Sequence, residues 1–298
     1  MDGKRVIGVD VGGTKILAGI VDRDGRVERH RENPTPVDSQ DDLLAGLDRA
    51  VEELLDDGIA AVGFGLPSPI DQKTGRAQQA VNIPLDATVD FRTRMAERFG
   101  LPVGVENDAN SAAYAEFHFG AAREASTMVM LTLGTGCGGG AVIDGKLFRG
   151  WAEFGHMVIV YDGIPCQGTC TGRGHLEPYV TGEGATRVAQ ELFGPAADSY
   201  RLVRLANEGD ATAREAMAGI GRKLGAGIAS MCNVFGADLV VVGGGFGVAG
   251  FDWLQPGALQ IAKRDALDAP GENLRIARAE LGTMAGLIGA GLLAFDAA

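Results

Sequence analysis

Apolar residues in this chain occur in two patterns, short continuous runs and longer stretches with a period near 3.6. The runs at residues 6–9, 16–21, 128–133 and 239–242 have the length of buried strands. The periodic stretches at residues 43–55, 91–99 and 217–235 predict amphipathic helices, with Ser39 as the N-cap of the first. Because Gly58, Gly100 and Gly236 follow these stretches, we expect the helices to end there. The alternation predicts an α/β fold.

Two of the predicted strand pairs are joined by glycine-rich turns. Residues 10–15 read DVGGTK, and residues 134–140 read GTGCGGG before a strand at 140–143. Both segments lead into a strand rather than a helix, which excludes the Rossmann fingerprint, and the P-loop pattern GxxxxGK[ST] is absent. Glycine lets backbone N–H groups converge on an anion, so the repetition favours phosphate binding over two plain hairpins. A third glycine turn, residues 243–245, follows a predicted strand and precedes a predicted helix.

Charge and composition restrict the classes of partner. The formal charge is −12, so we expect neither a nucleic-acid groove nor an anionic membrane surface as partner. The weakly polar stretch 281–295 is shorter than the ~18 to 20 apolar residues that span a bilayer, and we interpret it as a packed helix. The first residues lack the apolar run of a secretory signal, so we expect a cytoplasmic protein. A length of 298 residues favours two domains with a cleft.

An acidic residue follows one predicted strand directly. The strand at 102–105 leads into ENDAN, residues 106–110, before an alanine-rich helix, which places Asp108 at or near the helix N-cap. Capping alone is the simplest role for an Asn-Asp pair. The carboxyl end of a strand is also where α/β proteins bind ligands, and a carboxylate there suits a general base.

Two cysteines and two histidines cluster between residues 152 and 177. The stretch AEFGH ends at His156, and CQGTCTGRGHLE begins at residue 166. A metal site, a disulfide and chance are the alternatives. The four cysteines of the chain are too few for a disulfide framework, which leaves metal binding or ordinary burial. Cys137 and Cys232 receive no role.

Five motifs, DVGGTK, ENDAN, LGTGCGGG, the E-x-G-H of AEFGH and GRGHLE, occur in the order found in the ROK family of sugar kinases and repressors. The chain resembles this family over nearly its whole length, and its bacterial glucokinase branch most. The resemblance implies a duplicated α/β fold of the actin-like, hexokinase type (ribonuclease H-like), with two domains around a central cleft. We expect one domain at 1–108 with 283–298 and the other at 109–282.

The resemblance also implies roles for individual residues. Asp108 matches the catalytic base that takes a proton from the sugar. The expected sugar-binding residues are Asn82, Asn107, Asp108, Glu153, His156 and Glu177. Those expected at the ATP phosphates are Asp10, Gly12, Gly13, Thr14, Lys15, Gly134, Thr135, Gly136 and Gly138, with Gly244 and Gly245 near the adenosine. Asp10 is the expected partner of the Mg²⁺ shell, through water.

The cysteine-histidine cluster departs from the family pattern. Zinc-bearing relatives use the histidine of E-x-G-H and three cysteines, the first two separated by one residue. Here three residues separate Cys166 from Cys170, and His175 stands where the third cysteine would be. Because histidine and cysteine are both tetrahedral zinc ligands, we expect structural Zn²⁺ at His156, Cys166, Cys170 and His175. The altered spacing leaves open whether both cysteines ligate it.

The resulting hypothesis is an ATP-dependent glucokinase that phosphorylates the 6-hydroxyl of glucose. Another hexose kinase of the family, acting on fructose, mannose, allose or an N-acetylhexosamine, is the alternative, and polyphosphate in place of ATP stays open. A sugar-responsive repressor is less expected, because no basic segment precedes the strand at Val6. A homodimer or a dimer of dimers is expected from the family.

Overall fold

The computed structural model describes residues 4–80 and 82–298, with the backbone alone at residues 269 and 270. Its contacts divide the chain into two compact units. Unit 1 comprises Met1–Gly120, Arg149–Trp151 and Thr283–Ala298, and unit 2 comprises Ala121–Phe148 and Ala152–Gly282. The helix that follows Asn107 therefore belongs to unit 1, whereas our division of the sequence placed it in the second domain.

Strands and helices are interspersed along the described chain. The strands are β1 (Arg5–Val11), β2 (Lys15–Val21), β3 (Val27–Pro34), β4 (Ile59–Leu66), β5 (Ile70–Asp71), β6 (Arg76–Ala77), β7 (Val103–Asn107), β8 (Met128–Leu133), β9 (Cys137–Ile143), β10 (Lys146–Leu147), β11 (Leu239–Gly243) and β12 (Arg275–Arg278). The helices are α1 (Gln40–Glu52), α2 (Phe91–Phe99), α3 (Asp108–Phe119), α4 (Glu177–Val180), α5 (Gly182–Phe193), α6 (Ser199–Glu208), α7 (Ala211–Phe235), α8 (Gly245–Ala249), α9 (Phe251–Asp265), α10 (Asp268–Glu272) and α11 (Ala285–Ala297). Short 3₁₀ helices cover Phe154–His156 and Gly282–Met284.

Each unit contains a five-stranded sheet built on the same plan. The order is β3-β2-β1-β4-β7 in unit 1 and β10-β9-β8-β11-β12 in unit 2. In both sheets an antiparallel hairpin, β1/β2 or β8/β9, lies beside two strands that run parallel to its first strand. The shared plan confirms the predicted duplication.

Glycines in three neighbouring strands let α11 lie close to the sheet of unit 1. A Cβ on Gly8 of β1, Gly63 of β4 or Gly104 of β7 would overlap backbone of α11. The helix atoms concerned are the carbonyl oxygens of Leu287, Ala290 and Leu293, which recur every three residues. The need for this close approach explains part of the chain's high glycine content.

The predicted packed helix at 281–295 is α11, which begins at Ala285 and is buried along most of its length. Its burial results from packing on β1, β4, β7 and α3. Within the part of the chain that the structure describes, no helix has both the length and the apolar composition needed to cross a membrane.

The other predicted helices form, with one wrong boundary. Ser39 caps α1, and α2 and α7 end at Gly100 and Gly236, both in the left-handed conformation. The predicted end of α1 at Gly58 is wrong, since the regular helix stops at Glu52. Beyond it, Leu54 N–H donates to the Val51 carbonyl, so the chain tightens into a turn while Leu54 stays buried.

Candidate functional site

Asp108 is the first residue of α3 and follows β7 directly. The N-cap is Asn107 rather than Asp108, because Oδ1 of Asn107 accepts the hydrogen bond from Asn110 N–H at 3.0 Å. Asp108 Oδ1 accepts two further bonds, from Ala109 N–H at 2.7 Å and from Asn107 Nδ2 at 3.0 Å. These bonds fix the orientation of the Asp108 carboxylate at the carboxyl end of the strand.

The tip of the first hairpin consists of residues 12–14, between β1 and β2. Gly12 N–H donates to the Lys15 carbonyl at 2.9 Å, and the N–H groups of Gly13 and Thr14 have no acceptor among the described residues. The tip is held by Thr35, whose Oγ1 donates to the Gly12 carbonyl at 2.7 Å and whose N–H donates to the Thr14 carbonyl at 3.0 Å. Two amides are therefore presented in a fixed turn, as an anion site requires.

Two residues expected at the phosphates lie at the ends of the strands beside this tip. Lys15 Nζ is 2.7 Å from Glu32 Oε2 on β3, an exposed ion pair. Asp10 lies on β1, where burial and then the nearby Asp108 carboxylate raise its pKa to about 7, while Lys15 opposes the shift. A bound cation would reverse this shift, which is consistent with a carboxylate that meets a metal ion.

Asn82 lies against the first tip. A Cβ on Gly13 would lie 3.2 Å from Cβ of Asn82. In unit 1 the predicted residues Asn82, Gly13 and Asp10 therefore belong to one region around the hairpin.

Glu106 forms the centre of a polar network that the sequence did not predict. The residue is only 2% exposed. Oε2 accepts bonds from Gln72 Nε2 at 3.0 Å and Arg149 Nε at 3.3 Å, and Oε1 accepts bonds from Asn107 N–H at 3.0 Å and Asn110 Nδ2 at 3.2 Å. A buried carboxylate with this many donors holds the start of α3 in place.

A cavity of about 400 Å³ adjoins this network in unit 1, and its size is that of a small-molecule site. Its walls include Gln72, Glu106, Asn107, Asn110, Arg149 and Trp151. Asn107 belongs both to the cavity wall and to the Asp108 site.

The tip of the second hairpin, in unit 2, consists of residues 134–136. Gly134 N–H donates to the Gly136 carbonyl at 3.0 Å, and the N–H groups of Thr135 and Gly136 have no acceptor among the described residues. The predicted turn at 134–140 is therefore too long, since β9 begins at Cys137 and Gly138 pairs with Thr132 inside the ladder. Residues 130–133 of β8 pair with residues 137–140, so the ladder continues as far as the tip.

The third glycine turn packs against the second hairpin. Gly244 has φ of 77°, and a Cβ there would lie 2.5 Å from backbone atoms of Leu133, the last residue of β8. Gly245 then begins α8. Gly134, Thr135, Gly136, Gly244 and Gly245 are therefore brought together in unit 2.

Glu177, expected at the sugar, contacts both the second tip and the cysteine-histidine cluster. Its Oε2 accepts a hydrogen bond from Cys137 N–H at 2.8 Å, and its Oε1 lies 3.8 Å from Cys166 Sγ. Partial burial raises the pKa of Glu153, His156 opposes the shift, and Glu177 adds to it. The three predicted sugar-binding residues of unit 2 therefore form one electrostatic group.

The cluster itself has the geometry of a metal centre. The ligand atoms of His156, Cys166, Cys170 and His175 all lie within 4.8 Å of one another. The two Nδ1 atoms are 3.2 Å apart, His156 Nδ1 is 3.8 Å from Cys166 Sγ, and His175 Nδ1 is 3.7 Å from Cys170 Sγ. Zinc bonds of ~2.0 to 2.3 Å give tetrahedral edges of about 3.3 to 3.8 Å, so these residues fit zinc. Both histidines direct Nδ1 to the cluster.

A family model described as ROK family matches residues 6–297 of the chain. The chain belongs to the ROK family. A glucokinase from Streptomyces coelicolor is 33% identical to it, covering 97% of this chain and 96% of the relative. An N-acetyl-D-glucosamine kinase from Shigella boydii is 30% identical, covering 80% and 83%.

Solved ROK structures share the fold. A ROK family glucokinase from Streptomyces griseus, solved in complex with glucose and AMPPNP, superposes with a TM-score of 0.81 at 32% identity and covers 98% of this chain and 99% of its own. This similarity confirms the predicted actin-like, hexokinase-type fold of the chain.

The sequence did not predict that Thr35, Gln72, Glu106 and Arg149 help to build the site. Glu106 directly precedes Asn107, and an acidic residue inside an otherwise apolar strand was the available signal. Its partners lie far away in sequence, so no local pattern indicated them.

Proposed function

We propose that this ROK protein is an ATP-dependent hexose kinase that transfers the γ-phosphoryl group to the 6-hydroxyl of glucose. The observation that carries the proposal is the position of Asp108, at the end of β7 with Oδ1 held by Asn107 and Ala109. The identity of 33% to a glucokinase over nearly the full chain supports the same activity.

In the proposed reaction Asp108 accepts the proton of the attacking hydroxyl. The fixed carboxylate orients that hydroxyl and takes its proton as its bond to the γ-phosphorus forms and the bond between that phosphorus and the departing ADP oxygen breaks. Asn82, Asn107, Glu153, His156 and Glu177 are assigned to the remaining hydroxyls. A sugar that lacks one of these hydroxyls would leave a polar group of the site unpaired, which gives selectivity.

The amides of the two hairpin tips are assigned to the phosphates of ATP. The tips present N–H groups of Gly13, Thr14, Thr135 and Gly136 without other acceptors among the described residues. Such amides stabilise charge that develops on the transferred group. Mg²⁺ bound with ATP would neutralise phosphate charge, and Asp10 is the residue we assign to its water shell. Gly138 lies within β9, so we assign it to shaping the tip.

Zinc at the cluster is proposed as a structural ion with four protein ligands. It would fix His156 through Nδ1 and leave Nε2 for a sugar hydroxyl. The Cys170 thiolate would also accept the bond that Gly172 N–H donates at 3.4 Å. Metal analysis by mass spectrometry should find one zinc per chain in the wild type and in Cys232→Ala, and much less in His175→Ala and Cys170→Ala. Full zinc in both cluster variants would contradict the assignment.

The preferred sugar and phosphoryl donor are tested by steady-state kinetics with glucose, fructose, mannose, allose and N-acetylglucosamine, each with ATP and with polyphosphate. We expect the highest kcat/KM for glucose with ATP. The relative named as an N-acetyl-D-glucosamine kinase makes that sugar the second candidate. A higher kcat/KM for another sugar would make that sugar the proposed substrate in place of glucose. No turnover with any of the five sugars would contradict the proposed kinase activity.

The predicted cytoplasmic location fits an ATP-dependent enzyme with four free cysteines. The homodimer or dimer of dimers stays a prediction, to be measured by light scattering after size-exclusion chromatography.

A further inference from the structure

A short segment of unit 2, residues 177–182, is hydrogen-bonded both to the tip of the second hairpin and to residues 156–175, which carry the proposed metal ligands and which we call the metal loop. We call it the connecting segment. Toward the tip, Gly182 N–H donates to the Gly134 carbonyl at 2.8 Å, and Glu177 Oε2 accepts from Cys137 N–H at 2.8 Å. These two bonds lie on either side of the amides assigned to the phosphates.

Toward the metal loop, the same segment makes two side-chain contacts. Tyr179 Oη accepts a bond from Ile164 N–H at 3.0 Å, and Thr181 Oγ1 accepts one from Gln167 Nε2 at 3.2 Å. Gln167 lies between the two cysteines of the cluster. Two hydrogen bonds therefore link the metal loop to the connecting segment, so that ordering the loop also restrains the segment.

The carboxylate of Glu177 contacts both the tip of the second hairpin and the metal cluster. While Oε2 holds Cys137 N–H, Oε1 lies 3.8 Å from Cys166 Sγ. The carboxylate lies close to the tip, since a Cβ on Gly136 would be 2.9 Å from Oε2. A shift of the Glu177 carboxylate would therefore lose its hydrogen bond to the tip or its contact with the cluster.

We propose that Glu177 is a positioning residue that couples the metal cluster to the tip of the second hairpin, so that zinc occupancy strengthens binding of the ATP triphosphate. The inference rests on the proposed function and adds to it a link between two sites within unit 2. Coupling free energies between sites commonly correspond to 5- to 150-fold in affinity, so we expect about tenfold here.

The experiment measures the Kd for Mg²⁺-AMPPNP by isothermal titration calorimetry of the full chain in the absence of sugar. Wild type, Glu177→Gln and Glu177→Ala are each measured with zinc bound and after removal of zinc by a chelator. Removal should weaken AMPPNP binding about tenfold in the wild type. Both variants should bind AMPPNP about tenfold more weakly with zinc present, and removal should have little further effect.

Glu183→Gln is the matched control, because Glu183 is an exposed carboxylate at the start of α5 that forms no hydrogen bond or ion pair among the described residues. It should respond to zinc removal as the wild type does. Hydrogen exchange of zinc-bound protein provides a second measurement, independent of nucleotide. Exchange at Cys137 N–H should accelerate in Glu177→Ala and not in Glu183→Gln.

If zinc removal does not change the affinity of the wild type for AMPPNP, the proposed coupling is overturned. A zinc response in Glu177→Ala as large as in the wild type, or unchanged exchange at Cys137, would also overturn it. These results are distinguishable from failure of the proposed function, in which the zinc-bound wild type would neither bind AMPPNP nor phosphorylate a hexose. Should the zinc-free protein unfold, the zinc-bound variants and the exchange measurement still decide the question.

Discussion

Asn107 donates a hydrogen bond of 3.0 Å from Nδ2 to Oδ1 of Asp108, the residue that follows it in the chain. The same side chain caps α3 through its oxygen, so one asparagine both begins the helix and orients the proposed base. Helix stability and catalysis can therefore be separated by substitution at this position.

Replacing Asn107 by serine should keep the cap and lose the amide donor, whereas alanine should lose both. We expect Asn107→Ala to lower the free energy of unfolding by about 1 kcal/mol and Asn107→Ser by less than about 0.5 kcal/mol. Both should reduce kcat by at least about tenfold. Urea titration and steady-state kinetics measure the two effects, and full activity in Asn107→Ser would show that the amide does not orient Asp108.

The raised pKa of Asp10 makes the metal-free protein sensitive to pH. Since its folded-state pKa is about 7 against a usual value of 3.8, the protonated form is favoured on folding. Its contribution to stability is therefore fully present below about pH 4 and is lost as pH rises through 7. Asp10→Asn should gain stability relative to the wild type over this window, by on the order of a few kcal/mol.

Chemical denaturation at several pH values between 5 and 8, without Mg²⁺, measures this difference. Asp57→Asn, which alters an exposed carboxylate, is the control and should show no such trend. A stability difference between Asp10→Asn and the wild type that does not change with pH would contradict the assignment of the raised pKa.

Gly244 and Gly245 should differ in their tolerance of alanine although they are adjacent. Gly244 has φ of 77°, and its added Cβ would overlap Leu133 backbone, whereas nothing lies within 4 Å of a Cβ on Gly245. We expect Gly244→Ala to lower the free energy of unfolding by at least about 2 kcal/mol and Gly245→Ala to change it by less than about 0.5 kcal/mol. Equal unfolding midpoints for the two variants would show that the turn adjusts freely.

The hairpins, the central helices and the position of Asp108 were predictable because their signals are local. A glycine tip between two apolar runs, or Ser39 before a periodic stretch, specifies structure within a few residues. Strand β3 was not predicted, because this edge strand carries mostly exposed polar residues and lacks the apolar pattern.

The contacts that position the site depend on residues far apart in sequence. Thr35 meets Gly12 only after β3 has paired with β2, and Arg149 meets Glu106 only after the chain has returned to unit 1. Glu177 was predicted from the family resemblance as a sugar ligand, but its bond to Cys137 follows from the fold of unit 2. Pairings of this kind leave no periodic pattern in the sequence.

The turnover of Asp108→Asn with glucose and saturating Mg²⁺-ATP tests the central claim most directly. We predict that kcat falls by at least about 100-fold, because the amide cannot accept the hydroxyl proton, while the Kd for glucose changes less than about tenfold. Asp57→Asn should keep wild-type turnover. A kcat of Asp108→Asn within a few-fold of the wild type would contradict the role of Asp108 and the mechanism built on it.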